Sequence, residues 1–173
     1  RARHHRYGQG ESQADRSARR RCDAVHHPLA LILRIERATL QSTHLTTALL
    51  TRYPGVFKVG VAGGPVMDWS LYEVMYTERY MDTPSENPDG YAATTLYAQA
   101  DKLQDDLLLI TGGADDVVLP QHSLSFVKAC VSKGVPIDFF DYPGHGHNVR
   151  GKDRVHLMEK VLRYIDTRML PTR

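Results

Sequence analysis

Three short apolar runs, each closed by glycine, limit the folds open to this chain more than any other feature. "VFKVGVAGG" (56–64) is β-branched and brief, "DDLLLITGG" (105–113) repeats its form, and "VPIDFFDYPG" (135–144) makes a third. Runs of that length between turn residues predict buried strands. Between the last two lies "PQHSLSFVKACVSKG" (120–134), where Leu124, Val127, Ala129 and Val131 give a helical apolar face, Pro120 suits an early turn and Gly134 a C-cap. After the third, "DRVHLMEKVLRYIDTRM" (153–169) sets Val155, Leu157, Met158, Val161, Leu162 and Ile165 at helical spacing, with Asp153 as N-cap. Strand, helix, strand, helix predicts an α/β fold built on a mostly parallel sheet flanked by helices.

In such sheets, ligands and catalytic groups gather outside the carboxyl ends of the strands. Three loops occupy that position: "GGPVMDW", "TGGADDVV" and "PGHGHNV". The segment from 68 to 104 is longer than a plain crossover helix needs and carries Trp69, Tyr72, Tyr76, Tyr80, Tyr91 and Tyr97. An acid after one strand and a histidine after the next, in that order, completes a Ser-His-Asp triad in α/β hydrolases, where the acid fixes the imidazole tautomer and stabilises the imidazolium. Asp115 and His147, 32 residues apart, satisfy the order. Aspartate is also the ordinary turn former of such loops, so spacing by itself leaves both readings open. Tyr72 and Tyr76 at i,i+4 likewise suit a helix stripe facing a core.

The first 37 residues hold nine Arg, no Lys and four acids, against 13 bases and 16 acids in the remainder, so the basic character is local. The opening "RARHHRYGQGESQADRSARRRCDAVHH" has neither helical nor strand period and reads as a disordered arm rather than a nucleic-acid tail. "AVHHPLALIL" (24–33) is too short to span a bilayer, and no small-residue cleavage site follows it. Cys22 and Cys130 are too few and too far apart for a disulfide scaffold or a Cys-x-x-Cys site, and leave the compartment open. His145 and His147 supply two ligands of a zinc site, but no helical His-x-x-x-His or carboxylate motif accompanies them, so no metal or cofactor is expected.

"GVFKVGVAGGPVMDWSLYEVMYTERYMDTPSENPDGY", "LLLITGGADDVVLPQHSLSF" and "DYPGHGHNVRGKDRVHL" resemble the C-terminal part of the catalytic domain of prolyl oligopeptidase family serine peptidases, in the dipeptidyl peptidase IV and prolyl tripeptidyl peptidase branch. The resemblance runs from about His44 to Met169 and implies the C-terminal portion of an α/β-hydrolase fold, incomplete at its N-terminal side. It implies a serine-type peptidase acting on peptides with proline at P1. Asp115 matches the triad aspartate, with Asp116 its acidic neighbour, and His147, before Asn148, matches the triad histidine in preference to His145. Trp69, Tyr72 and Tyr76 match the aromatic S1 pocket, with Val66 and Val118 as apolar walls. Val117 stands where the family often has an asparagine that helps hold the P2 carbonyl. By the same analogy the parent enzyme is expected to be a homodimer outside the cytoplasm or in the periplasm; the composition leads to no expected nucleic-acid partner and no membrane segment in this chain.

The triad needs a serine on a Gly-x-Ser-x-Gly strand-to-helix elbow. Running the resemblance upstream without gaps puts that elbow at residues 38–43, which read "ATLQST", with Leu40 at the nucleophile position. Ser42 is two positions off and lacks flanking glycines. Residues 1–43 are therefore expected to be either an out-of-frame translation of the true upstream sequence or a divergent segment, leaving 44–173 as a partial catalytic domain. Three alternatives stand beside an active peptidase: a non-catalytic peptide-binding fragment, a pseudoenzyme, and a generic esterase or acylaminoacyl peptidase, whose pocket would not call for the tyrosine pair. A sheet shortened on one side leaves an open edge, so the isolated chain is expected to associate rather than unfold in one sharp step.

Overall fold

The computed structural model describes residues 29–32 and 40–169. Its elements are β1 (Leu29–Ile32), α1 (Leu40–Arg52), β2 (Phe57–Gly63), α2 (Val74–Met81), α3 (Pro88–Thr94), β3 (Asp106–Gly112), α4 (Gln121–Ser132), β4 (Asp138–Tyr142) and α5 (Lys152–Met169). Single 3-10 segments at Trp69–Leu71 and Tyr97–Lys102 interrupt the long β2–β3 connection. The four strands lie in sequence order and pair in parallel throughout.

Parallel neighbours need crossovers, and right-handed crossovers in a sheet that grows in one direction fall on one face. Here that face carries α1, the 64–105 connection and α4: Leu50, Leu96, Ala100, Phe126 and Cys130 pack with Ala62, Leu107 and Leu109. The last helix, α5, covers the opposite face, where Leu157, Val161 and Ile165 meet Val61, Leu108, Ile110 and Tyr142. Successive side chains of a strand point to opposite sides, so β3 feeds both layers and is buried at every residue after Asp106. This double burial is why 105–113 reads as a continuous apolar run.

The helices start and stop close to their expected ends, but their buried faces differ from the expected ones. In α4, Leu124 and Val131 are 52% and 70% exposed, and the inward positions are His122, Ser123, Phe126 and Cys130. Val127 and Ala129 pack at the margin of the same core. In α5, Val155 and Leu162 face outward, while Leu157, Val161 and Ile165 are buried and Met158 is partly so. Asp153 lies within the first turn of α5 rather than capping it.

No period announces α1, because its inward face is built from threonines. Thr43, Thr46, Thr47 and Thr51 are all buried, and the Thr51 hydroxyl donates back to the Thr47 carbonyl at 2.9 Å, as β-branched hydroxyl residues do inside helices. The helix lies so close to β2 that a Cβ on Gly60 would come within 2.6 Å of Leu50 Cδ1. Leu29–Ile32, inside the apolar 24–33 stretch, pairs with β2; a strand of four residues is too short to show alternation. Residues 1–28 and 33–39, with the Arg-rich opening, Cys22 and Ala38, lie outside the described residues. Among those described, no helix is long and apolar enough to cross a membrane.

Candidate active site

The loops after β2, β3 and β4 meet at the carboxyl edge of the sheet. Their approach depends on missing side chains: a Cβ on Gly112 would fall on the carbonyl oxygens of His145 and Gly146. With that space free, the Ala114 N–H donates to the His145 carbonyl at 2.9 Å and the Gly113 N–H to the Tyr142 carbonyl at 3.0 Å. Gly64, at the end of β2 with φ of +57°, is the second such position; a Cβ there would lie 2.9 Å from His147 Cε1.

Asp115 is 3% exposed and uses both carboxylate oxygens. Oδ1 accepts the Val117 and Val118 N–H groups, each at 2.9 Å, and Oδ2 accepts from His147 Nδ1, also at 2.9 Å. The turn-forming reading and the histidine-holding contact therefore coexist in one side chain. Burial works to raise the Asp115 carboxyl, but the hydrogen bonds from His147, Val118 and Val117 outweigh it and hold the group below 3.8. The same contact holds the His147 imidazolium against the opposing effect of burial; the charges of Asp115 and Asp116 add to it, so the ring titrates above 6.5.

His145 has a different partner. Its Nε2 meets Asp153 Oδ2 at 2.9 Å, beside a 2.9 Å contact between the Tyr142 hydroxyl and His156 Nδ1 that ties β4 to α5. The two histidines of the loop thus address two separate acids. Among the described residues, no three metal-ligating side chains cluster. Cys130 is buried, and burial pushes its thiol up to about 11, which keeps it unreactive.

Val66, Trp69, Tyr72 and Val118 gather into one buried cluster, with Tyr76 packed against it. Trp69 meets Tyr72 edge-on at 5.7 Å and stacks over Tyr76 at 6.1 Å, while the two tyrosines meet edge-on at 5.6 Å. Tyr72 precedes α2 in extended conformation, so the pair is not a helix stripe. The cluster also takes Tyr91 and Met81. Neither was singled out from sequence; Tyr91 gave only the signal of an aromatic in an overlong connection. Its hydroxyl donates to the Asp82 carbonyl at 2.8 Å, which fixes the α2–α3 turn. The cluster and the Asp115–His147 pair are joined covalently through the Asp115–Val118 turn.

Leu40 is the first residue of α1, and Ser42 lies in its first turn. A cavity of about 160 Å³ opens beside His147, lined by Thr43 of that turn together with Gly64, Thr111, Gly112 and Asn148. The strand-to-helix position at which an elbow is expected therefore follows β1, without the Gly-x-Ser-x-Gly sequence.

Comparison with known proteins agrees with this architecture. The profile of the Prolyl oligopeptidase family matches residues 44–171. The chain is 39% identical over 109 residues to dipeptidyl peptidase 4 of Bos taurus, covering 61% of this chain and 14% of that protein. Against dipeptidyl peptidase 4 of Felis catus it is 36% identical over 126 residues, 70% of this chain and 16% of the relative. Among solved structures, it superposes with TM-score 0.72 on a Bacteroides ovatus protein assigned as a dipeptidyl aminopeptidase IV, at 57% identity over 73% of this chain and 18% of that one. Porphyromonas gingivalis dipeptidyl peptidase 4 gives the same TM-score of 0.72 and the same coverage at 36% identity. The chain thus spans less than a fifth of the length of each of these relatives.

Proposed function

Because this chain belongs to the prolyl oligopeptidase family, we propose that it carries the acid and the base of a serine peptidase site that cleaves peptides after a proline near their N-terminus. The observation that carries this reading is the 2.9 Å contact between Asp115 Oδ2 and His147 Nδ1 at the carboxyl edge of a parallel sheet. With its Nδ1–H donating a hydrogen bond to the Asp115 carboxylate, His147 keeps Nε2 as the basic nitrogen. That atom takes the serine proton as the hydroxyl attacks the scissile carbonyl, and returns it to the leaving amine; Asp115 stabilises the imidazolium between the two steps.

The cluster of Val66, Trp69, Tyr72, Tyr76 and Val118 is the proline pocket of this reading. A proline ring is a flat apolar body without an N–H, so aromatic walls accept it where polar walls would lose hydrogen bonds to water. The Asp115–Val118 turn sets the pocket at a fixed offset from the base.

Leu40, at the nucleophile position, favours a second reading for the chain as written: it binds such peptides without cutting them. Without the hydroxyl, what remains of the site is binding and charge stabilisation. Three measurements separate the readings. The full chain is expected to show no turnover of a fluorogenic Ala-Pro substrate and no fluorophosphonate labelling, yet to bind an Ala-Pro peptide in preference to its Ala-Leu counterpart. The triple variant A38G/L40S/S42G, which writes the elbow into place, is expected to gain labelling that His147→Ala abolishes. Labelling of Ser42 in the parent chain would overturn the assignment of the nucleophile position; equal binding of both peptides would overturn the proline pocket.

A further inference from the structure

The peptide group between Val66 and Met67 has both of its polar atoms taken by histidine side chains from two different helices. The Val66 carbonyl accepts from His44 Nδ1 at 2.9 Å, and His44 belongs to α1. The Met67 N–H donates to His122 Nδ1 at 3.3 Å, and His122 opens α4. A carbonyl oxygen only accepts and an N–H only donates, so the two rings must be in opposite states at the same atom. His44 carries its proton on Nδ1; neutral His122 leaves Nδ1 bare and carries its proton on Nε2.

We propose that His44 and His122 are positioning residues for the pocket, clamping the planar Val66–Met67 peptide from both sides and thereby fixing Val66 and Trp69. Val66 and Met67 are both 0% exposed, so removing a ring takes the hydrogen-bond partner from a buried carbonyl or N–H. The peptide unit is rigid, so holding its two polar atoms fixes the direction in which the chain leaves toward Trp69. His44 adds a second hold: its ring centroid lies 5.4 Å from that of Trp69, tilted by 52°.

The clamp opens asymmetrically with acid. Protonated His44 still donates from Nδ1, so its bond to Val66 survives. Protonated His122 places a new proton on Nδ1, directly opposite the Met67 N–H, and two donors then face each other. Burial is the largest influence on both rings and lowers both from 6.5. Arg52 adds to that at His44; the Val66 carbonyl opposes it. At His122, Asp68 from the pocket loop, the Leu71 backbone and Asp115 from the acid loop oppose it without overcoming it. The extra proton goes to Nδ1, whose partner is the donor Met67 N–H, so it gains no acceptor there.

The inference rests on the proline-pocket reading for its ligand only, since the clamp is measurable without one. Trp69 is the single tryptophan of the chain, so its emission maximum reports the pocket directly. Nitrogen-15 spectra of the full chain at pH 8 are expected to show His44 protonated at Nδ1 and His122 at Nε2; the same tautomer at both would overturn the proposal. On acidification the Trp69 emission maximum is expected to shift in a step centred below pH 6.5. His122→Gln, whose amide oxygen accepts from Met67 without titrating, is expected to keep the pH 8 spectrum and lose the step. His122→Ala is expected to show the shifted spectrum at every pH and to bind an Ala-Pro peptide about tenfold more weakly, with binding restored in the glutamine variant. An unchanged step in His122→Gln would overturn the clamp. A correct fluorescence pattern without Ala-Pro binding would leave the clamp standing and remove the proline reading.

Discussion

Asp115 holds His147 through one carboxylate oxygen and keeps the other for the N–H groups of Val117 and Val118, all three contacts at 2.9 Å. Two substitutions at this residue separate the two tasks. Asp115→Asn retains an acceptor for the two backbone donors but loses the charge, so His147 is expected to titrate closer to 6.5, read from its ring protons by NMR. Asp115→Ala also removes the acceptor of both donors, at about 1–3 kcal/mol for the buried Val118 N–H and less for the N–H of the exposed Val117, and is expected to lower the unfolding midpoint in urea well beyond the asparagine variant.

The pair also has a stability window. Asp115 is depressed in the folded chain, so its contribution is present above 3.8 and is lost as pH falls through the folded value. His147 is raised, so its contribution is complete below 6.5 and fades as pH rises through its folded value. Both are in force together between about pH 4 and 6.5. The stability difference between the parent chain and Asp115→Asn is expected to be greatest in that interval and to shrink on either side of it, measured by urea titration at several pH values.

Gly64→Ala is expected to dislodge His147. The new methyl meets the imidazole at 2.9 Å, and φ of +57° adds a backbone cost of roughly 1 kcal/mol. Loss of the low-field Nδ1 proton resonance with the fold retained is the expected signature. An unshifted resonance would mean that the β2 end does not position the ring.

The revised face of α4 gives a direct comparison. Phe126, 0% exposed, is expected to cost about 3–5 kcal/mol on truncation to alanine, the range for a large aromatic in a core. Leu124, 52% exposed, is expected to cost under about 0.5 kcal/mol. Similar losses at the two positions would restore the face read from the sequence.

At the opposite edge of the sheet, Arg168 bridges Asp106 and Asp138 at 3.1 and 3.0 Å, and the Tyr164 hydroxyl reaches the same Asp138 oxygen at 3.0 Å. These side chains are partly exposed, so Arg168→Ala is expected to cost no more than about 1 kcal/mol, and less in high salt. Chemical unfolding at two ionic strengths checks it.

The strands were legible because β2, β3 and β4 each compress into a run that glycines terminate. The inward face of α4 was not, because it begins with His122 and Ser123, which a hydropathy pattern assigns to the surface. The same holds for α1, whose buried threonines carry no period. Asp115 and His147 were legible from loop order and family resemblance together; order by itself could not separate an acid from a turn former, and the structure gives the residue both contacts. His44, Val66 and His122 are distant in sequence, and nothing in their local context signals that they meet at a single peptide bond.

The parallel register of β3 with β4, from Leu108 opposite Asp138 to Gly112 opposite Tyr142, acts as the ruler of the site. Asp115 and His147 sit three and five residues beyond the ends of those strands. A slip of one residue would carry one loop about 3.3 Å along the strand axis, more than the whole length of their hydrogen bond, while turning Phe139 and Phe140 to the wrong layers. The alignment of Asp115 with His147 is thus guarded by the packing of the sheet: a misregistered sheet would sacrifice its core before it could part the pair.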